Sequence, residues 1–94
     1  MKHLIIVKSA EGVNSKEFAD QAEAHFQGVL GIPGIHAVRV IRGIENAKNR
    51  YSFIVEIDMD EEALGAYNEC ECHHEWKEKY ASMIEKKAIF DYEE

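Results

Sequence analysis

The chain has 94 residues, of which 46% are hydrophobic and only one is proline, so its composition predicts a single folded domain spanning 1–94. Eighteen acidic residues against eleven basic ones give a formal net charge of −7, and no cluster of Lys or Arg stands out. Because phosphate backbones and anionic lipids are bound by a basic face, this balance argues against nucleic acid and membrane as partners.

The N-terminal apolar run, Leu4 to Val7, is too short for the core of a signal peptide. No stretch approaches the ~18 apolar residues of a membrane-spanning helix. We therefore expect a cytoplasmic protein. Cys70 and Cys72 are separated by one residue, so a disulfide between them would close a tight, strained loop. Reduced thiols are the expectation.

The first half of the chain alternates between strand and helix patterns. His3 to Val7 is apolar on both faces, which predicts a short buried strand. Asn14 followed three residues later by Glu17 predicts a capped helix start. Apolar residues then recur at helical spacing, at Phe18, Ala22, Phe26, Val29 and Leu30. Glycines and a proline at 31–34 end this helix.

The second half predicts two strands, a helical region and a last strand. Ile35–Ile41 is the second strand, and a polar connection at 43–49 leads to the alternating strand Tyr51–Met59. Asp58 or Asp60 caps a helical region from about Glu61 to Lys86, with a break around the cysteines. Residues 88–92 form the final strand.

This order of elements predicts an α+β fold of the ferredoxin-like βαββαβ type. Right-handed crossovers place the strands in a four-stranded antiparallel sheet with the helices on one face. The strands are apolar on both sides, so the other face also needs a cover. We expect two such sheets to pack face to face, as a homodimer in the form of a dimeric α+β barrel.

The segment from Ala66 to Trp76 combines a phenol, two thiols, two imidazoles and an indole. Four other features accompany this segment: a strand that opens with Lys-His, an Ile-Pro-Gly turn at 32–34, the strand from Tyr51 to Ile57, and a closing Phe-Asp-Tyr at 90–92. Taken together, in this order, these elements resemble the stress-responsive A/B-barrel (Dabb) family over nearly the whole chain. Members of that family are small dimeric α+β barrels.

The resemblance also implies a site. The chain is similar to the plant polyketide cyclases of that family, of the olivetolic acid type, in which a Tyr and a His form an acid–base pair without metal or cofactor. The matching residues are Tyr67 and His73, and the opening His matches His3. Two cyclase histidines are replaced, by Phe53 and by Cys70. The architecture therefore transfers more completely than the activity.

We predict that a small apolar or aromatic molecule binds between the sheet and the helices. Tyr67, His73 and His3 are the candidate catalytic residues, because an imidazole can move a proton beside a phenol that steadies an enolate. The predicted pocket walls are Ile5, Val7, His25, Val38, Phe53, Val55 and Trp76. Two alternatives stay open: a cofactor-independent, cyclase-like enzyme, and a structural dimer in which these side chains only pack together.

The cysteine and histidine cluster is a poor match to a metal site. Structural zinc sites take ligands from two separated arms, whereas Cys70, Cys72, His73 and His74 are contiguous. A nucleophilic cysteine activated by a neighbouring His lacks a third, orienting group. We therefore predict no metal and no cofactor. The nearby acidic residues Glu71 and Glu75 are expected to favour the protonated form of His73.

Overall fold

The computed structural model describes residues 1–44 and 49–94. Its strands and helices follow the chain as β1 (Lys2–Ser9), α1 (Ser15–Phe26), β2 (Ile35–Arg42), β3 (Phe53–Met59), α2 (Leu64–Glu69), α3 (Glu71–Lys79) and β4 (Ile84–Tyr92). Short 3-10 turns lie at Gln27–Val29, Glu61–Ala63 and Ala81–Met83. The predicted order of elements is confirmed. The predicted connection at 43–49 falls largely on 45–48, outside the described residues.

The four strands form one antiparallel sheet in the order β2-β3-β1-β4. The predicted four-stranded antiparallel sheet and ferredoxin-like α+β fold are therefore confirmed. Strands β1 and β3 are central, and β2 and β4 are the edges. Among the described residues, no helix has both the length and the apolar character needed to span a membrane.

The start of α1 follows the predicted cap. The Glu17 backbone N–H donates to the Asn14 side-chain oxygen over 3.1 Å, which satisfies one of the free donors of the first turn. The helix buries Phe18, Ala22 and Phe26 against the sheet. Leu30, which was predicted to join this stripe, is 41% exposed because the helix ends at Phe26 and a 3-10 turn follows.

The boundaries of the later elements differ from the prediction at two places. Strand β3 begins at Phe53 rather than Tyr51, which is 41% exposed. The second helical region ends at Met83, and β4 begins at Ile84 rather than Ala88. The charged residues at 85–87 resemble a polar helix end in the sequence. They belong to an edge strand, where charged side chains reach solvent and prevent pairing with other chains.

The core lies between the helices and one face of the sheet. It contains an aromatic cluster in which Phe18 stacks on Trp76 and on Tyr80, with ring centroids 5.9 and 5.7 Å apart, and meets Phe53 edge-on at 5.1 Å. Phe26 contacts Trp76 at 4.9 Å. Such ring pairs add about 0.5–1.5 kcal/mol each to the area that they bury. This cluster fixes α3 over the sheet and so fixes the site described below.

The opposite face of the sheet is largely apolar, with the Arg39–Glu56 ion pair within it, and no helix among the described residues covers it. Strand register aligns two rows of side chains across it, Ile41–Ile54–Ile6–Ala88 and Arg39–Glu56–Leu4–Phe90. We call these two rows the open face. Phe90 is 56% exposed and Ile41 is 38% exposed.

Candidate functional site

A break between α2 and α3 brings Tyr67 and His73 together. Cys70 is extended at the junction, with φ −71° and ψ 154°. Its Sγ accepts the His73 backbone N–H over 3.3 Å and so caps α3. Residues six apart on a continuous helix would lie on different faces. With the break, which the sequence predicted, the two rings lie 4.9 Å apart.

Tyr67 is the central group of this site. Only 1% of it is exposed, and its ring meets the His3 ring edge-on at 5.1 Å. Among the described residues, the Tyr67 hydroxyl is the one buried side-chain polar atom without a hydrogen-bond partner. Burial raises the pKa of Tyr67 strongly, and the nearby Cys70, Cys72 and Asp91 act in the same direction. Tyr67 is therefore a neutral phenol with an unused donor.

His3 is held by a carboxylate from the opposite end of the chain. Strand register sets His3 opposite Asp91, and His3 Nδ1 lies 2.5 Å from Asp91 Oδ1. Because an ionised carboxylate only accepts, Nδ1 carries the proton and donates it. The other ring nitrogen, Nε2, is then the acceptor in the neutral imidazole. The pair thus fixes the tautomer of a histidine that is 5% exposed.

A backbone carbonyl fixes the tautomer of His73 in a similar way. Its Nδ1 donates to the Asn68 carbonyl oxygen over 3.0 Å, which leaves Nε2 as the basic nitrogen. The pKa of His73 is lowered, mainly by burial and further by the charges of Lys77, Lys87 and His74, against an opposing contribution from the Asn68 carbonyl. The prediction that acidic neighbours would favour protonated His73 is therefore wrong. Neutral His73 is a base.

The residues that were predicted to line a pocket belong to the packed core or pack against it. Five of them are at most 2% exposed: Ile5, Val7, Phe53, Val55 and Trp76. Val38 packs against this core from β2. His25 Nε2 lies 2.8 Å from the Cys72 carbonyl oxygen, and its ring is 6.3 Å from Trp76. Two neighbouring side chains reach solvent: His73 is partly exposed, and Ile89 on β4 is 52% exposed.

A separate cleft of about 290 Å³ lies between the start of α1 and the β2–β3 connection. Asn14, Arg42, Tyr51 and Ser52 are among its lining residues, and His3, Tyr67 and His73 are not. No sequence motif indicates this cleft, because it arises from the approach of α1 to the end of the sheet.

The two cysteines are free and partly buried. Cys72 donates to the His25 carbonyl oxygen at 3.4 Å, and burial raises the pKa of its thiol to about 11. Since the thiolate is the nucleophile, Cys72 is an unreactive thiol at neutral pH. Residues 1–44 and 49–94 contain no group of three or more His, Cys, Asp or Glu side chains arranged to hold a metal ion.

Comparisons with known proteins identify the fold. No protein-family model matches the chain, and no curated protein matches it. Several solved structures do. A dimeric protein of unknown function and ferredoxin-like fold from Bacteroides fragilis is 16% identical with a TM-score of 0.78, over 99% of this chain and 94% of the other.

Two further structures extend this likeness. A protein of Arabidopsis thaliana is 21% identical with a TM-score of 0.78, over 99% of this chain and 93% of the other. A Dabb family protein with a ferredoxin-like fold from Mesorhizobium loti is 18% identical with a TM-score of 0.65, over 99% and 94% of the two chains. The chain is similar to all three over nearly its whole length. At these identities the likeness establishes the fold.

Proposed function

We propose that this chain is a homodimeric Dabb-domain protein that binds a small apolar or aromatic molecule at Tyr67, between the sheet and the helices. The observation that carries the proposal is the buried, unpartnered hydroxyl of Tyr67, whose ring lies between the rings of His3 and His73. A buried polar group without a partner costs about 1–3 kcal/mol, so a ligand oxygen that accepts from it gains that amount. The likeness to a Dabb family structure supports the family assignment.

The chemistry of the site indicates which part of a ligand would bind there. Tyr67 offers a hydrogen to a carbonyl or phenolic oxygen, and the ligand ring would lie near Ile89. The two free cysteines agree with a reducing compartment such as the cytoplasm, which the proposal assumes.

Native mass spectrometry of freshly purified protein tests the proposal. We expect a retained small molecule in the wild type and its loss in Tyr67→Phe, which removes only the hydroxyl. Tyr80→Phe is the matched control, because Tyr80 is also buried but its hydroxyl is not an unpartnered buried atom. If acetophenone, added as a probe, shifts the spectra of Tyr67→Phe and wild type equally, the hydroxyl does not bind ligands.

A second candidate function is cofactor-independent acid–base catalysis. Neutral His73 can take a proton from the carbon beside a ligand carbonyl through Nε2, while the Tyr67 hydroxyl donates a hydrogen bond to the enolate oxygen. The lowered pKa of His73 and the raised pKa of Tyr67 favour this division of roles. Exchange of the acetophenone methyl protons in D₂O, followed by NMR, should be faster with wild type than with His73→Ala. The exposed neighbour His74→Ala is the control.

The homodimer is proposed from the open face. Its apolar side chains suit a second copy packed sheet against sheet, and the Bacteroides fragilis neighbour is described as dimeric. Light scattering should give a mass about twice 10.8 kDa. Phe90→Glu should give a monomer. Ile89→Glu should not, because Ile89 is 52% exposed on the other side of the same strand.

The third possibility is a structural dimer without a ligand. It would be favoured by a dimeric mass together with no retained molecule and no effect of Tyr67→Phe on acetophenone binding. The mass and the binding measurements are therefore made on the same preparations.

A further inference from the structure

The distribution of positive charge singles out two lysines beside the Tyr67 site. The chain carries a net charge of −7, and several basic side chains pair with carboxylates, as Lys2 does with Asp58 and Arg39 with Glu56. Within residues 1–44 and 49–94, Lys77, Lys79, Lys86 and Lys87 have no ion-pair partner, and of these Lys77 and Lys87 are near enough for the charge of Lys77 to lower the pKa of Lys87.

The fold places both lysines on the side of the molecule that carries the Tyr67 site. Lys87 is opposite the fully buried Val7 in the β1–β4 register, so it lies on the helix-covered side of the edge strand. Lys77 is four residues after His73, one turn further along the same face of α3. Partial burial, and after it the charge of Lys77, lowers the pKa of Lys87, and both lysines contribute to lowering the pKa of His73. The three groups therefore lie near one another.

We propose that Lys77 and Lys87 form an anion-binding mouth to the Tyr67 site, so that the ligand is an organic acid whose carboxylate meets the lysines while its carbonyl or phenolic oxygen accepts from Tyr67. Ile89, between Lys87 and Asp91 on the same side of β4, supplies the apolar contact for the ring that joins the two groups. An anion there offsets the mutual repulsion of two like charges. This inference rests on the small-molecule site proposed above and names its ligand class.

The experiment compares two probes that differ in one charge. Para-acetylbenzoate carries a ketone and a carboxylate, and its methyl ester keeps the ketone and the ring but is neutral. Dissociation constants are measured by NMR titration of the isotope-labelled protein. The variants are Lys77→Gln, Lys87→Gln and Tyr67→Phe. The controls are Lys79→Gln and Lys86→Gln, which remove the same charge from other faces of the same elements.

We expect the acid to bind wild type more tightly than the ester, with up to roughly fivefold lost for each of Lys77 and Lys87, as for exposed ion pairs. Lys79→Gln and Lys86→Gln should leave the ratio of the two affinities unchanged. Tyr67→Phe should weaken both probes by the same factor.

The experiment distinguishes a failure of the anion-binding mouth from a failure of the small-molecule site itself. Equal affinities of acid and ester for wild type, both reduced by Tyr67→Phe, would overturn the anion-binding mouth and leave the small-molecule site intact. An equal loss in the Lys79 and Lys86 controls would also overturn it, since net charge alone would then act. No binding of either probe up to its solubility limit would overturn the site and the inference together.

Discussion

Replacing Tyr67 with Phe should stabilise the ligand-free protein. The hydroxyl is buried in a residue that is 1% exposed, and it has no partner. Removing it abolishes a desolvation cost of about 1–3 kcal/mol. The space left by one oxygen, about 10 Å³, costs only about 0.2 kcal/mol at ~24 cal/mol per Å³. The free energy of unfolding should therefore rise by about 1–3 kcal/mol, and the thermal midpoint by at least about 4 °C.

Urea denaturation followed by Trp76 fluorescence measures this change, because Trp76 is buried in the core at 1% exposure. The proteins must be free of any retained molecule, since a ligand would stabilise wild type and hide the gain. Tyr80→Phe should change the unfolding free energy by less than about 0.5 kcal/mol, the range for groups with no special role. If Tyr67→Phe is instead less stable than wild type by about 1 kcal/mol or more, the hydroxyl has a partner in solution. The Tyr67 hydroxyl is then not an unused donor.

Three further predictions concern the groups around Tyr67. Asp91→Asn should lower the free energy of unfolding, measured with urea at neutral pH, by about 1 kcal/mol. It weakens the charge-assisted hydrogen bond to His3, in which the Asp91 side chain is 37% exposed. No change would mean that the pair is absent in solution. NMR titration should place the pKa of His73 below 6.5. Its contribution to stability is then full above pH 6.5 and is lost as the pH falls through the lowered folded-state pKa, whereas a pKa above 6.5 would contradict the site geometry. Cys70→Ser should match or exceed wild-type stability and Cys70→Ala should lose about 1 kcal/mol, as expected for a side chain that caps α3; equal thermal midpoints would exclude the capping role.

The fold could be predicted because its signals are local. The cap at Asn14 and the alternation from Phe53 to Met59 are set by near neighbours in the chain. The start of β4 was missed for a physical reason. Three charged residues at its beginning match a solvated helix end as well as an edge strand, and only pairing with β1 separates the two.

The site was only partly predictable. The break that unites Tyr67 and His73 could be inferred from the cysteine segment. The Asp91 partner of His3 could not be, because it depends on the register of strands 88 residues apart. The pKa shift of His73 was predicted in the wrong direction. The prediction considered residues adjacent in the sequence rather than residues on the same face of the helix. Glu71 and Glu75 are each two positions away and point elsewhere, while Lys77 is one turn along on the same face.

The hydroxyl of Tyr67 lowers the stability of the core in which it is buried. Around it the core is apolar and tightly packed, and the aromatic cluster holds α3 in place. Phe would fit the same space without an unpaired hydroxyl and would give a more stable protein. A group that costs stability, placed between two histidines whose tautomers are fixed, is what a binding or catalytic site requires. The arrangement therefore favours a ligand-binding role over packing alone.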